Sequence, residues 1–490
     1  MTVRVAVVGA GVSGLAAAHR LRTLLGPDAA ITVLDQRDRT GGVLHTIDLA
    51  GVPFDVGAEA FLARRPEVPS LLAELGLAGE RVQPTGAAPS VRAGGRTLPL
   101  PGGTLLGVPT SAARLEGLLS PAAVAAVAAE PARPLSWTPG DDVAVGGLLR
   151  ARFGDEPVDR LADPLLGGVY AGRVDALGLR ATNPALAAAL DAGAPSLTAA
   201  ADRATGAARP PVESGGTPAG APVPSTTAAG AVFGAVRGGY ARLLDALAAA
   251  SAADIRLRTT VRAVERAGGG WRLTLGATTD PEALDVDAVV LAVPAPALAR
   301  LLSAVAPGAS AAAGAIELAS SAVVALAYRP SDAATLPRTS GALIATGESL
   351  AVKGVTHSST KWPHLSPDGL VRLRASMGRF GEARTLQVPD DELLAGVRAD
   401  LATLAGISAA PVAAHVQRWG GGLPQYGVGH LDRVRDIERG LPEGLAVAGA
   451  ALHGVGVPAC IATARAAADR VVAALTAPVA GKPSSGPVRP

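Results

Sequence analysis

Hydrophobic and polar positions fall into successive regimes along this chain. Residues 3–8 form a short valine-rich apolar run interrupted by a charge only at Arg4, as in a parallel strand buried on both faces, and residues 11–25 continue with helical spacing. A second apolar run, residues 31–34, stops at Asp35, so the N-terminal segment predicts a strand–helix–strand unit. From about Leu98 to Leu190 the text is rich in Ala and Leu at helical spacing, broken by Pro-Gly pairs, which predicts a mainly helical block. From about Gly193 to Gly230 it turns to Ala, Gly, Pro, Ser and Thr without large apolar side chains to bury, the composition of a mobile loop. Residues 477–490 read as a disordered tail by the same argument. A helix is expected near 240–250, alternating strands near 261–264 and 271–275, and an apolar strand over 288–293. More strands and helices follow to about Arg435, then a last strand over 445–448 that runs into a helix from Ile461.

Gly9, Gly11 and Gly14, with Ala10, Val12 and Ser13 between them, form Gly-x-Gly-x-x-Gly at the junction of the first strand and first helix. There the first glycine permits a tight turn, the second lets the backbone approach a pyrophosphate, and the third allows close packing of helix on strand. The helix N-terminus adds unpaired N–H groups and the positive end of a dipole. Asp35, followed by Gln36, stands where a carboxylate accepts hydrogen bonds from ribose hydroxyls, which argues against a 2′-phosphate and so against NADP. The same pattern argues against reading the first eighteen residues, apolar behind Arg4, as a secretion signal.

Length and composition narrow the function further. A chain of 490 residues exceeds a typical single core and predicts two or three domains around one ligand. Its formal net charge of +2 includes no dense Lys/Arg run, so nucleic acid is not an expected partner. The excess of Arg over Lys, with abundant Ala and Gly, reflects a biased genome composition. Cys460 is the single cysteine, which excludes an internal disulfide framework and fits a reducing, cytoplasmic compartment. No apolar stretch of membrane-spanning length is free of charges, Gly or Pro, so no transmembrane segment is expected, while peripheral membrane contact stays open.

Two segments beyond Asp35 separate FAD from NAD. Arg39-Thr40-Gly41-Gly42 and Asp55-Val56-Gly57-Ala58-Glu59, followed by Ala60, resemble the second fingerprint of amine-oxidase-like flavoproteins, in which paired glycines admit the cofactor and the arginine neutralises pyrophosphate charge. Ala448-Gly449 and Gly454-Val455-Gly456-Val457-Pro458 resemble the closing flavin motif of that superfamily, where a helix N-terminus faces the pyrimidine end of the flavin. The most specific text is Ala162-Asp163-Pro164-Leu165-Leu166-Gly167-Gly168-Val169-Tyr170-Ala171-Gly172, which resembles the central signature of the protoporphyrinogen and coproporphyrinogen oxidases. Leu98-Pro99-Leu100-Pro101 with Gly107-Val108-Pro109, and Trp419-Gly420-Gly421-Gly422-Leu423-Pro424-Gln425-Tyr426 before Gly429-His430-Leu431, resemble the same family. In order, these motifs span nearly everything outside the loop near 193–230. Arg173 departs from the acidic or small residue that many relatives carry after Gly172, as a surface change or as an extra carboxylate partner.

The resemblance implies an α/β fold with α+β elements. A Rossmann-like FAD-binding domain is assembled from both termini (1–80, 236–296 and 436–476), with a mainly helical insertion (81–192), the loop (193–235), a substrate-binding domain of mixed sheet and helices (297–435) and the tail. It implies non-covalent FAD, with Val261 on the strand that touches the adenine, Trp419 facing the flavin, and Cys460 a small buried residue. It implies a porphyrinogen substrate, losing six hydrogens in three flavin cycles to O2 with release of H2O2, in haem biosynthesis, and a contact with ferrochelatase. Coproporphyrinogen III is favoured over protoporphyrinogen IX; a flavin amine oxidase or desaturase, and a catalytically silent flavin-binding partner protein, are the competing readings. No catalytic acid or base is assigned, and no histidines, His357 and His364 included, have metal spacing. An apolar wall is expected from Leu165, Leu166, Gly167, Gly168, Val169 and Tyr170 with Gly107 and Val108. Arg64, Arg65, Arg173, Lys361 and Arg418 are the candidate partners of substrate propionates.

Overall fold

The computed structural model describes residues 2–206 and 232–476. Its first layer is a five-stranded parallel sheet in the order Asp254–Arg256, Ala30–Leu34, Arg4–Val8, Ala288–Leu291, Leu445–Val447. Strands from the two ends and the middle of the chain therefore meet in one sheet. The period of two along each strand explains why. Val5 and Val7, with Ala288 and Val290, enter a cluster shared with the helices Val12–Leu25, Tyr240–Ser251 and Val457–Thr476. Ala6 and Val8, with Val289 and Leu291, enter a second cluster under the antiparallel sheet Val261–Ala267, Gly270–Ala277, Asp280–Val286 and the helix Ala295–Leu302. A strand covered on both faces must be apolar at every position, which is the unbroken run the sequence carries.

The second layer is a seven-stranded sheet, antiparallel except at one pair, in the order Ala413–Pro424, Leu318–Tyr328, Val371–Met377, Val352–Thr356, Gly341–Ile344, Ser90–Ala93, Arg96–Pro99. One face, with Val324, Leu326, Leu373 and Ala375, packs on the helix Asp390–Ala405. The other, with Val323, Ala325, Ala327 and Trp419, packs on the hairpin Thr46–Leu49 and Val52–Asp55. Arg372, with no exposed surface, fixes that hairpin to the sheet by donating to the Leu49 and Ala50 carbonyls while pairing with Asp368.

A helical layer, including Val145–Phe153, the π-helix Val158–Gly167, Pro184–Asp191 and Leu197–Thr205, forms a third cluster. The structure differs from the sequence reading at three places. Residues 81–109 are not helical: they contain short strands, and Ser90–Ala93 pairs in parallel with Gly341–Ile344, so the insertion and the following domain share a sheet. Leu197–Thr205 is a helix inside the stretch read as loop; residues 207–231, like the tail 477–490, lie outside the described residues. Leu298, Leu302, Ala309 and Ile316 pack beneath the parallel sheet, which carries that core past the expected boundary at 296.

Candidate functional site

Both ends of the chain line one cleft at the C-terminal edge of the parallel sheet, of about 1300 Å³ with the open solvent in its mouth included. Gly9 turns the first strand with φ +105°, and a Cβ there would stand 2.3 Å from the Ala292 carbonyl oxygen. Gly14 is pressed on the same turn, since its Cβ would meet the Gly9 oxygen at 1.7 Å. Gly11 is different: it has an ordinary φ of −71°, and a Cβ would meet nothing nearer than the Gly42 Cα at 3.9 Å, so a side chain there would extend into the cleft. The helix Val12–Leu25 has no side-chain cap, and its first N–H groups face the cleft.

Asp35 braces this turn. One carboxylate oxygen accepts the Ala10 N–H at 2.7 Å and the other the Arg37 N–H at 2.8 Å, leaving further lone pairs for a ligand hydroxyl. Gln36, Gly41, Gly42, Val12, Ser13, Val261, Trp419 and Gly449 also line the cleft. Trp419 is held by its indole N–H, which donates to the Val56 carbonyl at 2.9 Å. Sequence reasoning missed Arg37, Thr259, Thr260, Arg300, Gly420, Gly421, Gly422 and Cys460, which line it too. The glycines after Trp419 were visible as a run but carried no assigned role.

Several residues expected to touch the cofactor are not among those that line the cleft. Arg39 donates to the carbonyls of Thr40, Gly42 and Leu44 at 3.0, 2.9 and 3.1 Å, so it locks the Gly41-Gly42 turn, and the cations that line the cleft are Arg37 and Arg300. Ala10 and Gly14 lie behind the turn. Gly57, Ala58, Glu59 and Ala60 do not line the cleft. Burial would raise the Glu59 carboxyl, but Lys361 at 2.6 Å and Arg374 at 3.7 Å outweigh it and hold it below its ordinary range. Val455 packs on the helical layer, the Gly456 carbonyl accepts the Cys460 N–H, and Val457 is buried at the start of the closing helix, so these three back the cleft without lining it.

The loop they belong to is clamped by Tyr426, whose hydroxyl accepts the Gly454 N–H at 2.8 Å and donates to the Ala450 carbonyl at 2.6 Å. His430 stacks on Tyr426 at 3.7 Å and bonds to the Leu452 carbonyl; burial pushes its pKa down to about 4, so the ring is neutral and structural. Cys460 lines the cleft with its thiol pushed up to about 11 by burial.

The expected substrate wall is mostly core. Gly107 presses on the Ala162 backbone, Val108, Leu166, Gly167 and Tyr170 are buried, and Leu165, Gly168 and Val169 are more exposed but not on the cleft. The signature instead builds a junction: Asp163 accepts from the Val174 N–H, the Thr346 hydroxyl and Arg379 at 3.0, 2.5 and 3.0 Å, tying the helical layer to the large sheet. The expected propionate cations are largely committed. Arg65 pairs with Glu67, Arg173 with Glu382, Lys361 with Glu59 and Arg418 with Asp390, while Arg64 is exposed. Arg173 thus has a carboxylate partner within its own chain. Among the described residues no three His, Cys, Asp or Glu converge as a metal site, and no helix is long and apolar enough to cross a membrane.

The family model for flavin containing amine oxidoreductase matches residues 12–472. The coproporphyrinogen III oxidase of Mycobacterium leprae is 48% identical over 97% of this chain and 98% of its own. That of Mycobacterium tuberculosis (strain ATCC 25618 / H37Rv) is 46% identical over the same shares. The crystal structure of a protoporphyrinogen oxidase candidate from Exiguobacterium sp. 255-15 is 28% identical, covers 96% of this chain and 98% of its own, and superposes with a TM-score of 0.80.

Proposed function

The chain belongs to the family of flavin containing amine oxidoreductases, and from that premise we propose that it is an oxygen-dependent porphyrinogen oxidase of haem biosynthesis. Its substrate in this reading is coproporphyrinogen III, its cofactor non-covalent FAD. The observation that carries the proposal is the cleft lined by strand ends from both termini together with Trp419 and the glycines after it.

The residues suit FAD. The glycine turn and uncapped helix offer N–H groups to a pyrophosphate, Asp35 offers a carboxylate to a ribose, and Thr259, Thr260 and Val261 offer a partly apolar edge to an adenine. Arg37 and Arg300 supply positive charge along the same length. Burial pushes the Cys460 thiol up to about 11, which disfavours its thiolate and so supports a cofactor held without a covalent bond. Bound there, a flavin would supply a two-electron acceptor that O2 reoxidises with release of peroxide.

The protein's part is orientation and exclusion of water. Gly420, Gly421 and Gly422 let a planar ring system lie close to the backbone, and the Trp419 indole is held in one orientation by its bond to Val56. The dipole of the helix Val457–Thr476 favours negative charge near its N-terminus. The relatives' activity supports coproporphyrinogen III over protoporphyrinogen IX. A cytoplasmic setting, and a contact with ferrochelatase as consumer of the product, are part of the same reading.

The purified protein is to be incubated with coproporphyrinogen III and, separately, protoporphyrinogen IX, while porphyrin fluorescence and peroxide are followed. Faster porphyrin formation from coproporphyrinogen III, with peroxide released alongside, is expected; a strong preference for protoporphyrinogen IX would overturn the substrate assignment, and amine-driven peroxide with no porphyrin would overturn the class.

A further inference from the structure

Val352 pairs with Met377 and Gly354 with Ser376, which leaves Lys353 as the extra residue of a β-bulge. Bulges bend a strand and re-aim a side chain, and they concentrate beside active sites. A second irregularity lies in the same cross-strand row. Ala322 also pairs with Met377, and the neighbouring Ala319 and Ser321 shift register against the segment from Trp419 to Leu423, which lines the cleft. On the other side of Lys353, Arg379 joins Asp163 and Thr346 of the junction with the signature segment. In the sheet Lys353 therefore lies between the strand that carries Trp419, three strands away, and the junction with the signature segment, without itself lining the cleft.

Its charge environment is unusual. Lys353 is only partly exposed, and among the described residues it has no carboxylate within ion-pair distance. The charges that act on it most strongly are Arg379, Arg374 and Glu382. Arg379 is committed to Asp163, Glu382 to Arg173, and Arg374 shares Glu59 with Lys361, so the row keeps an excess of positive charge. Burial, then the two arginines, pull the ammonium down to about 8. A buried lysine is normally paired; one held without a partner beside other cations is a place where an anionic ligand relieves the cost.

We propose that Lys353 is the anion-binding residue of the substrate site, receiving a carboxylate of the tetrapyrrole, an assignment that rests on the porphyrinogen reading above. It takes the role that the sequence reading gave to Arg64, Arg65, Arg173, Lys361 and Arg418, of which all but Arg64 pair with carboxylates of this chain.

Binding of the product tests it on the flavin-loaded protein. Coproporphyrin III and its tetramethyl ester, which has the same ring without the charges, are titrated against wild type, Lys353→Met and Lys353→Arg by protein fluorescence quenching. Loss of one charge-assisted contact should weaken coproporphyrin III about tenfold in Lys353→Met. The ester should bind all three proteins alike, and Lys353→Arg should restore most of the affinity for the acid. Equal weakening of acid and ester, no change in either, or no binding of coproporphyrin III to wild type would each overturn the assignment. Turnover of coproporphyrinogen III is read separately: a wild type that binds coproporphyrin III through Lys353 yet oxidises no porphyrinogen would sink the enzymatic reading and leave the anion site standing.

Discussion

Replacing Tyr426 by Phe removes one oxygen atom and two hydrogen bonds from the loop that closes the cleft. The ring is 1% exposed and stays wedged between His430 at 3.7 Å and Tyr170 at 5.3 Å, so packing is preserved. The Gly454 N–H and the Ala450 carbonyl lose their partner. A buried polar group left unpaired costs about 1–3 kcal/mol. If about 2 kcal/mol falls on the conformation that Ala450 holds along the cleft, the flavin dissociation constant rises roughly thirtyfold. Flavin fluorescence regained on serial dilution measures that constant directly, and the melting temperature of the flavin-free protein controls for general damage. An unchanged constant would refute the reasoning. So would a loss of binding matched by an equal loss of stability in the flavin-free protein, which would make Tyr426 a core residue with no particular hold on the cleft.

Three other outcomes follow from the same geometry. Gly11→Val should fold with a near wild-type melting temperature in the flavin-free state but bind no flavin, because its side chain enters the cleft and its Cβ meets the backbone only at an ordinary contact distance, 3.9 Å from the Gly42 Cα; a full flavin spectrum in that variant would contradict the site. Glu130→Ala should cost about 3–5 kcal/mol in urea unfolding, since Glu130 has no exposed surface and serves Arg152 and the Leu197 and Thr198 N–H groups. Burial works to raise the Glu130 carboxyl, but these partners prevail and lower it, so its contribution is whole above the ordinary glutamate range near 4.3 and is lost as pH falls through the lower folded value. The gap between wild type and Glu130→Ala should therefore shrink in acid; a gap that widens would reverse the sign. Cys460→Ser should retain its flavin, and acid precipitation of the wild type should release all of it as free FAD, whereas yellow colour left in the pellet would mean a covalent bond.

What could be read from the sequence was what local pattern encodes. The glycine turn, its strand and its helix are contiguous, and the unbroken run through Val5, Ala6, Val7 and Val8 states that both faces are covered. Leu197–Thr205 was missed because its apolar residues beyond Leu197 are alanines, and what anchors it is Glu130, distant in sequence. Ser90–Ala93 was missed because its partner is Gly341–Ile344, a pairing that no local period reveals. Side-chain charge was legible as type and not as destination. Arg39 spends its donors on carbonyls of its own loop, and Arg173 and Arg418 meet Glu382 and Asp390 far along the chain. Lys353 carried no motif at all; it stands out only once the bulge and the neighbouring ion pairs are seen.

The central claim is that one cleft lays a porphyrinogen against a flavin held by both ends of the chain. Anaerobic mixing of the yellow protein with coproporphyrinogen III tests it most directly. The flavin absorbance should bleach as porphyrin absorbance grows, and admitting air should restore it with peroxide formed. A flavin that stays oxidised in the presence of excess coproporphyrinogen III, in protein that is otherwise folded and fully loaded, would contradict the account.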